Sequence, residues 1–290
     1  MKKSENVGLI NEAFVNTFIK ERKKDIHKGD CGRILIVAGS KGMAGAAVLC
    51  ARGALRGGAG LVQVSIPEEL FHIIQIAVPE ATCMSRDRLL KETLQYHAIA
   101  IGPGLGDDAE NLEYINKILK DNNKPVVIDA DGLNILSHDL SVMKDTKAKL
   151  IITPHPGEAA RLLKVKATDI NEDRVGSAKA LAMETGAVVV LKGAGSIVAT
   201  PEGKTYINTT GNPGMATGGS GDVLTGLIVA LLGQGLNVEA AATVGVYLHG
   251  LAGDMKADQM GEYGLIASDI AEGISPAIKK TINGKYHLVK

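Results

Sequence analysis

In the stretch GNPGMATGGSGDVLTGLIVALLG (211–233) one carboxylate, Asp222, closes a run of glycines and small polar residues, directly before an apolar run of small side chains. Glycines in such a run leave backbone amides free to face one point, and a helix starting there adds the positive end of its dipole. The amides of Gly218, Gly219, Ser220 and Gly221 therefore form a candidate anion hole, strongest toward charge that develops on a phosphoryl group during transfer. Asp222 could serve only as a partner of the helix dipole. An acid beside an anion hole repels the anion, however, unless it has chemistry to perform. The coherent chemistry is to take the proton of a hydroxyl as it attacks a phosphoryl group.

Other loops carry further candidates. GSKGMAG (39–45) has the spacing G-x-x-G-x-x-G, not that of a dinucleotide fingerprint, and lacks the Lys-Ser/Thr ending of a phosphate loop. It is either a turn that eases tight helix–strand packing or backbone held close to a ligand, with Ala46 at the helix start. GPGLG (102–106) has three glycines, more than a turn needs, and favours ligand contact by Gly104. DADGLN (129–134) offers Asp131 as a helix N-cap or its acids to a metal. In TPHPGE (153–158) two prolines stiffen the loop and aim His155 at a ligand. Glu158 falls in the first turn of the next helix, where an acid complements the dipole. KGAGS (192–196) sets Lys192 beside two glycines and Ser196, either as a solvated charge or as a clasp for a nucleotide phosphate or sugar.

These loops need elements to hold them. Apolar runs at 33–39 and 61–67 and at the starts of 97–106, 125–136, 150–163 and 187–210 read as buried strands, alternating with helical stretches at 45–60, 109–122, the end of 150–163, and 173–186. A hairpin with PEG at its tip follows within 192–210, and helices at 220–233, 238–257 and 268–281 complete the chain. Alternation of this kind predicts an α/β fold with a mainly parallel central sheet and helices on both faces. In such sheets ligands bind beyond the carboxyl ends of the strands, where all five glycine- or proline-bearing loops would converge.

Composition narrows the function further. Glycine accounts for 35 of 290 residues, against about 20 at ordinary usage, and the excess sits in discrete loops rather than in one low-complexity tract. Lys plus Arg and Asp plus Glu balance at 32 each, which argues against a nucleic-acid or anionic-membrane partner. With no Trp and three Phe, an aromatic platform for stacked bases is not expected. Three scattered cysteines form no C-x-x-C pair, the N-terminus lacks a signal-peptide core, and no apolar run reaches membrane-spanning length. The expectation is a cytoplasmic chain of one domain, 1–290, with residues 1–26 as an N-terminal segment packed on it.

Taken together, HKGDCGRILIVAGSKGMAGAA, IGPGLG, VIDADGLN, ITPHPGE, VLKGAGS and NTTGNPGMATGGSGDVLTG resemble the ADP-dependent NAD(P)H-hydrate dehydratases, of ribokinase-like fold, over roughly residues 27–280. The resemblance implies repair of NADH or NADPH that has gained water at ring position 6. The S epimer's hydroxyl is phosphorylated by ADP and phosphate is then expelled, returning NAD(P)H with AMP. It implies that Ala46, Gly104, His155 and Asp222 contact the hydrated dinucleotide. Lys192, Gly193, Ala194, Gly195, Ser196 and Gly221 would hold the adenine nucleotide. Asp222 would be the base, and Glu158 would help place Mg²⁺ through water. It further implies a homo-oligomer, a tetramer. Many members fuse this domain to an N-terminal epimerase; about 25 residues precede HKGDCG here, so a separate epimerase is expected to supply the S substrate.

Two alternatives share the pocket. A ribokinase-like vitamin kinase, acting with ATP on a hydroxymethylpyrimidine or hydroxyethylthiazole type of alcohol, would carry T-P-N-x-x-E, where this chain has T-P-H-P-G-E. A nucleotide-sensing module would not need an acid beside the nest.

Overall fold

The computed structural model describes residues 7–89 and 95–284. Its strands are β1 (Val7–Ile10), β2 (Arg33–Val37), β3 (Leu61–Ser65), β4 (Thr82–Met84), β5 (Ala98–Ile101), β6 (Val126–Ile128), β7 (Leu150–Ile152), β8 (Val188–Leu191), β9 (Ile197–Ala199) and β10 (Thr205–Asn208). They form one sheet in the order β1-β10-β9-β8-β7-β6-β5-β2-β3-β4. Only the two pairings of β9 are antiparallel, with β8 and with β10. The central strands β2, β5, β6, β7 and β8 run parallel, so their carboxyl ends share one edge. The fold is the expected α/β arrangement.

Because side chains alternate across a strand, β2 sends Ile34 and Ile36 into one core and Leu35 and Val37 into the other. Strands covered on both faces need to be apolar throughout, which is why RILIV and VVVL show no polar alternation. The first core is closed by the helices Ala44–Arg56, Ser220–Gly233, Val238–Met260 and Ala267–Gly284, the second by Glu110–Asp121, Pro156–Leu163 and Arg174–Thr185.

The small residues of helices Ala44–Arg56 and Ser220–Gly233 have a specific use. A side chain on Gly226 would enter the Cys50 carbonyl, and one on Gly53 would enter the Val223 carbonyl. The two backbones cross in direct contact, which fixes the start of one helix, at Ala46, relative to the start of the other, at Asp222.

The structure departs from the sequence reading at the sheet edges. Residues 7–10 supply edge strand β1, parallel to β10, rather than merely packing on the domain. Strand β4 and the helix Phe71–Ala77 were also not expected. These pieces are too short to show a period. Asp131 does not cap its helix. Ala130, at φ 48°, precedes helix Asp131–Leu136, and Asp131 Oδ2 instead accepts the amide of Gly106 at 2.9 Å.

Candidate active site

The loops after β2, β5, β6, β7 and β8 meet at the shared edge, and the segment between β10 and the helix Ser220–Gly233 closes over one end. A cavity of about 640 Å³ opens there. His155, the whole KGAGS loop from Lys192 to Ser196, Ser220 and Gly221 line it, together with residues of the 210–217 segment. That segment is held in place by Asp254 of the long helix, which accepts the Gly211 amide and the Asn212 side chain, each at 2.9 Å.

The nest takes the expected form. Gly219 has φ +88° and ends the loop as the N-cap of helix Ser220–Gly233, with no side-chain cap. No backbone hydrogen bond among the described residues uses the amides of Gly218, Gly219 or Gly221, whereas Ser220 N lies 3.4 Å from the Thr217 carbonyl, a loose contact. Asp222 stands in the first turn of that helix. Its pKa is pushed up to about 7, first by burial and then by the nearby charge of Asp129, with Lys192 opposing. An acid at that value is divided between its two protonation states near neutral pH, as a general base requires.

Lys192 is not a solvated charge. Its Nζ lies 2.6 Å from Asp129 Oδ1 and 3.8 Å from Glu158 Oε2. Burial pulls its pKa down, but the two carboxylates outweigh burial and raise it. Asp129 is 1% exposed and receives a second hydrogen bond, at 2.8 Å, from Thr225 Oγ1. The carboxylate is thus paired and bonded, the condition under which a charge can be buried.

His155 caps the helix Pro156–Leu163: its Nδ1 accepts the Gly157 amide at 2.9 Å, while Glu158 Oε2 accepts the His155 amide at 2.7 Å. This capping box, with Pro156 at the first helical position, gives the ring one orientation. The accepting Nδ1 leaves the ring proton on Nε2, which lies 3.5 Å from Glu158 Oε1. Glu158 is buried; its Oε2 accepts the His155 amide and lies 3.8 Å from Lys192 Nζ. Among the described residues no group of three His, Cys, Asp or Glu side chains is gathered for direct metal ligation.

Asp222, Gly218, Gly219 and Glu158 are not among the residues that line the cavity. Ala46 and Gly104 also lie outside its lining. They are brought against each other, the absent side chain of Gly104 pointing 2.8 Å from Ala46 Cβ. The expected substrate residues are therefore not gathered in one lining: His155 sits with the KGAGS loop at the cavity, Asp222 in the first turn of the helix that follows the nest, and Ala46 against Gly104.

Sequence reasoning did not single out Asp129, Thr225 or His249. Asp129 ends a strand within a motif that was noticed, but nothing showed which of its acids turned inward. His249, buried in the middle of the long helix, lines the cavity and sets Nε2 2.9 Å from the Ser220 carbonyl. Burial lowers its pKa to about 4, so it is neutral near pH 7. No local motif marks it.

A mainly parallel sheet with a glycine nest, a helix start and an acid at its carboxyl edge defines a protein of ribokinase-like fold. Comparison with known proteins narrows this. A family model for NAD(P)H-hydrate dehydratase matches residues 34–276, and the chain belongs to that family. It is 43% identical over 280 residues to the bifunctional NAD(P)H-hydrate repair enzyme of Moorella thermoacetica, covering 92% of this chain and 53% of that protein. It is 41% identical to the ADP-dependent (S)-NAD(P)H-hydrate dehydratase of Neisseria meningitidis, covering 87% and 86% of the two chains. The solved Bacillus subtilis ADP/ATP-dependent NAD(P)H-hydrate dehydratase, co-crystallised with ATP and Mg²⁺, superposes with a TM-score of 0.87 at 32% identity, over 96% of this chain and all of that one. The chain spans about half the length of the bifunctional relatives.

Proposed function

We propose that this chain dehydrates the S epimer of hydrated NADH or NADPH, using ADP as phosphoryl donor. The observation that carries the reading is Asp222: a carboxylate poised near pH 7 in the first turn of a helix whose first two residues, Ser220 and Gly221, line a cavity of about 640 Å³. Asp222 takes the proton of the 6-hydroxyl as that oxygen attacks the terminal phosphoryl group. The amides of Gly218, Gly219, Ser220 and Gly221 face the charge that spreads over the transferred oxygens. The bond to AMP breaks, the ring nitrogen lone pair then expels phosphate to leave a ring iminium, and loss of a proton from ring position 5 restores NAD(P)H. Lys192 through Ser196, with Gly221, hold the adenine nucleotide, while Ala46, Gly104 and His155 contact the hydrated dinucleotide. Mg²⁺, when bound, would offset phosphate charge, and Glu158 would help hold it through water, as the family resemblance implies.

The relatives named for hydrate dehydration support this reading over a vitamin kinase, as does His155 where such kinases carry Asn. ADP is favoured by the Neisseria relative, described as ADP-dependent. An epimerase that interconverts the two hydrate epimers is the proposed pathway partner. The assembly proposed is a homo-oligomer, a tetramer, in the cytoplasm; among the described residues no helix is long and apolar enough to cross a membrane.

The test is direct. Hydrated NADH is mixed with the protein, Mg²⁺ and either ADP or ATP, and the reduced-nicotinamide absorbance is followed. Recovery with ADP and equimolar AMP is expected. A protein that binds ADP yet restores nothing overturns the proposal and redirects the search to small alcohols with ATP.

A further inference from the structure

We infer that Arg86 and Asn111 form a latch that sets the spacing between the 39–45 and 102–106 loops and so positions the hydrated nicotinamide at Ala46 and Gly104; this rests on the function proposed above. Arg86 opens the short helix Arg86–Leu89 beyond edge strand β4, far in sequence from both loops. Its guanidinium donates from Nη1 to Asn111 Oδ1 at 2.6 Å and from Nη2 to the Gly39 carbonyl at 2.5 Å. It also stacks over Tyr114, 5.8 Å from the ring centre. Asn111 is 1% exposed and donates Nδ2 to the carbonyls of Leu105 at 3.1 Å and Gly106 at 3.2 Å. One guanidinium and one carboxamide thus join a carbonyl of the first loop to two carbonyls of the second.

The join leaves no slack. Gly39 N donates directly to the Pro103 carbonyl at 2.9 Å. Gly104, at φ +57°, would place a side chain 2.8 Å from Ala46 Cβ and 2.9 Å from the Met43 carbonyl. The loops meet at backbone contact, so a few tenths of an ångström of movement changes the relation of Gly104 to Ala46. Among the described residues the hydrogen bonds of the Arg86 guanidinium go to neutral oxygens, and its Nε is buried with none. A half-buried cation without a bonded carboxylate is a poor source of stability. A planar fork reaching two loops at a fixed separation is a good source of position, and a lysine cannot reproduce it.

The latch makes Arg86 and Asn111 positioning residues, and it predicts a split between kinetic constants. Asn111→Asp keeps the acceptor for Arg86 but loses both donors to the 102–106 loop. Arg86→Met removes the fork, and Arg86→Lys keeps only the charge. In each, KM for hydrated NADH should rise about tenfold while kcat and the Kd for ADP stay within about twofold, with Arg86→Lys milder than Arg86→Met. Folding is checked by thermal melting; if Arg86→Met does not fold, the near-isosteric Asn111→Asp decides. An unchanged KM in the folded variants, against active wild type, overturns the latch alone. Hydrate KM and ADP Kd rising together also overturn it, because a general loosening of the rim would do the same. A wild-type chain that binds ADP without turning over the hydrate overturns the function and the latch's substrate role together.

Discussion

Lys192 Nζ and Asp129 Oδ1 meet at 2.6 Å, and the missing side chain of Gly221 would lie 3.3 Å from that ammonium and 3.8 Å from the other oxygen of Asp129. The cation of the KGAGS loop is therefore engaged, at the edge of the nest, by an acid from the end of a strand two places away in the sheet. The pair also sets the field at Asp222, Asp129 raising its pKa and Lys192 lowering it.

Replacing Asp129 with Asn removes the charge that raises Asp222 and frees Lys192 to act against it, so both changes lower the Asp222 pKa. In the wild type, activity should climb as Asp222 ionises near pH 7; in Asp129→Asn the climb should move to lower pH. The kcat/KM profile against pH checks this. Leaving Lys192 without its main partner should also lower stability by about 3–5 kcal/mol, read from denaturant unfolding.

Asp222→Asn should abolish turnover while ADP binding persists, measured by calorimetry. Its effect on stability has a definite sign. The folded state raises the Asp222 pKa to about 7, so between the unfolded value near 4 and pH 7 the folded protein binds the extra proton, and stability falls as pH rises. Asparagine escapes that loss. The variant should melt above the wild type at pH 8, by an amount on the order of a few kcal/mol, and the gap should close toward pH 4. A variant that instead loses ADP binding would make Asp222 a structural residue.

His155 carries two duties that two variants separate. Alanine removes both the ring and the cap, at a cost of about 1 kcal/mol for the cap. Asparagine keeps an acceptor for the Gly157 amide and removes only the ring. Hydrate KM should rise in both, with ADP affinity less affected, while the melting temperature should drop in His155→Ala alone. Equal loss of both affinities would point to a collapsed loop.

Gly219→Val places a β-branched residue at φ +88° and drives its Cβ into Leu49 Cδ1. The nest should deform and kcat should fall by at least about a hundredfold, the scale of losing one anion-hole donor. Full activity would remove the anion-hole assignment.

Gly226→Ala tests the helix crossing away from the nest. The added methyl enters the Cys50 carbonyl and lies 2.9 Å from Ala54 N, so the two helices must part. A stability loss of about 1–3 kcal/mol is expected. Since the crossing aligns Ala46 with Asp222, kcat should fall with it; a stable, fully active variant would show that the alignment does not depend on this contact.

Much of this protein was legible in its sequence because the deciding physics is local. Continuous apolar strands bounded by glycine announce a sheet covered on both faces. A glycine run followed by small apolar residues announces a nest and a helix start, and Gly219 takes the expected left-handed form. Prolines around a histidine announce a fixed ring. The tertiary structure decided what depends on partners distant in sequence. It chose Asp129 to hold Lys192, 63 residues away, and turned Asp131 from a cap into a brace for Gly106. It brought the neutral His249 to the Ser220 carbonyl, and Arg86 to a loop 47 residues earlier. Side-chain identity states which bonds a residue can make; only the packed chain, by burying some groups and leaving others wet, determines which of those bonds are formed and at what pKa the acid between them works.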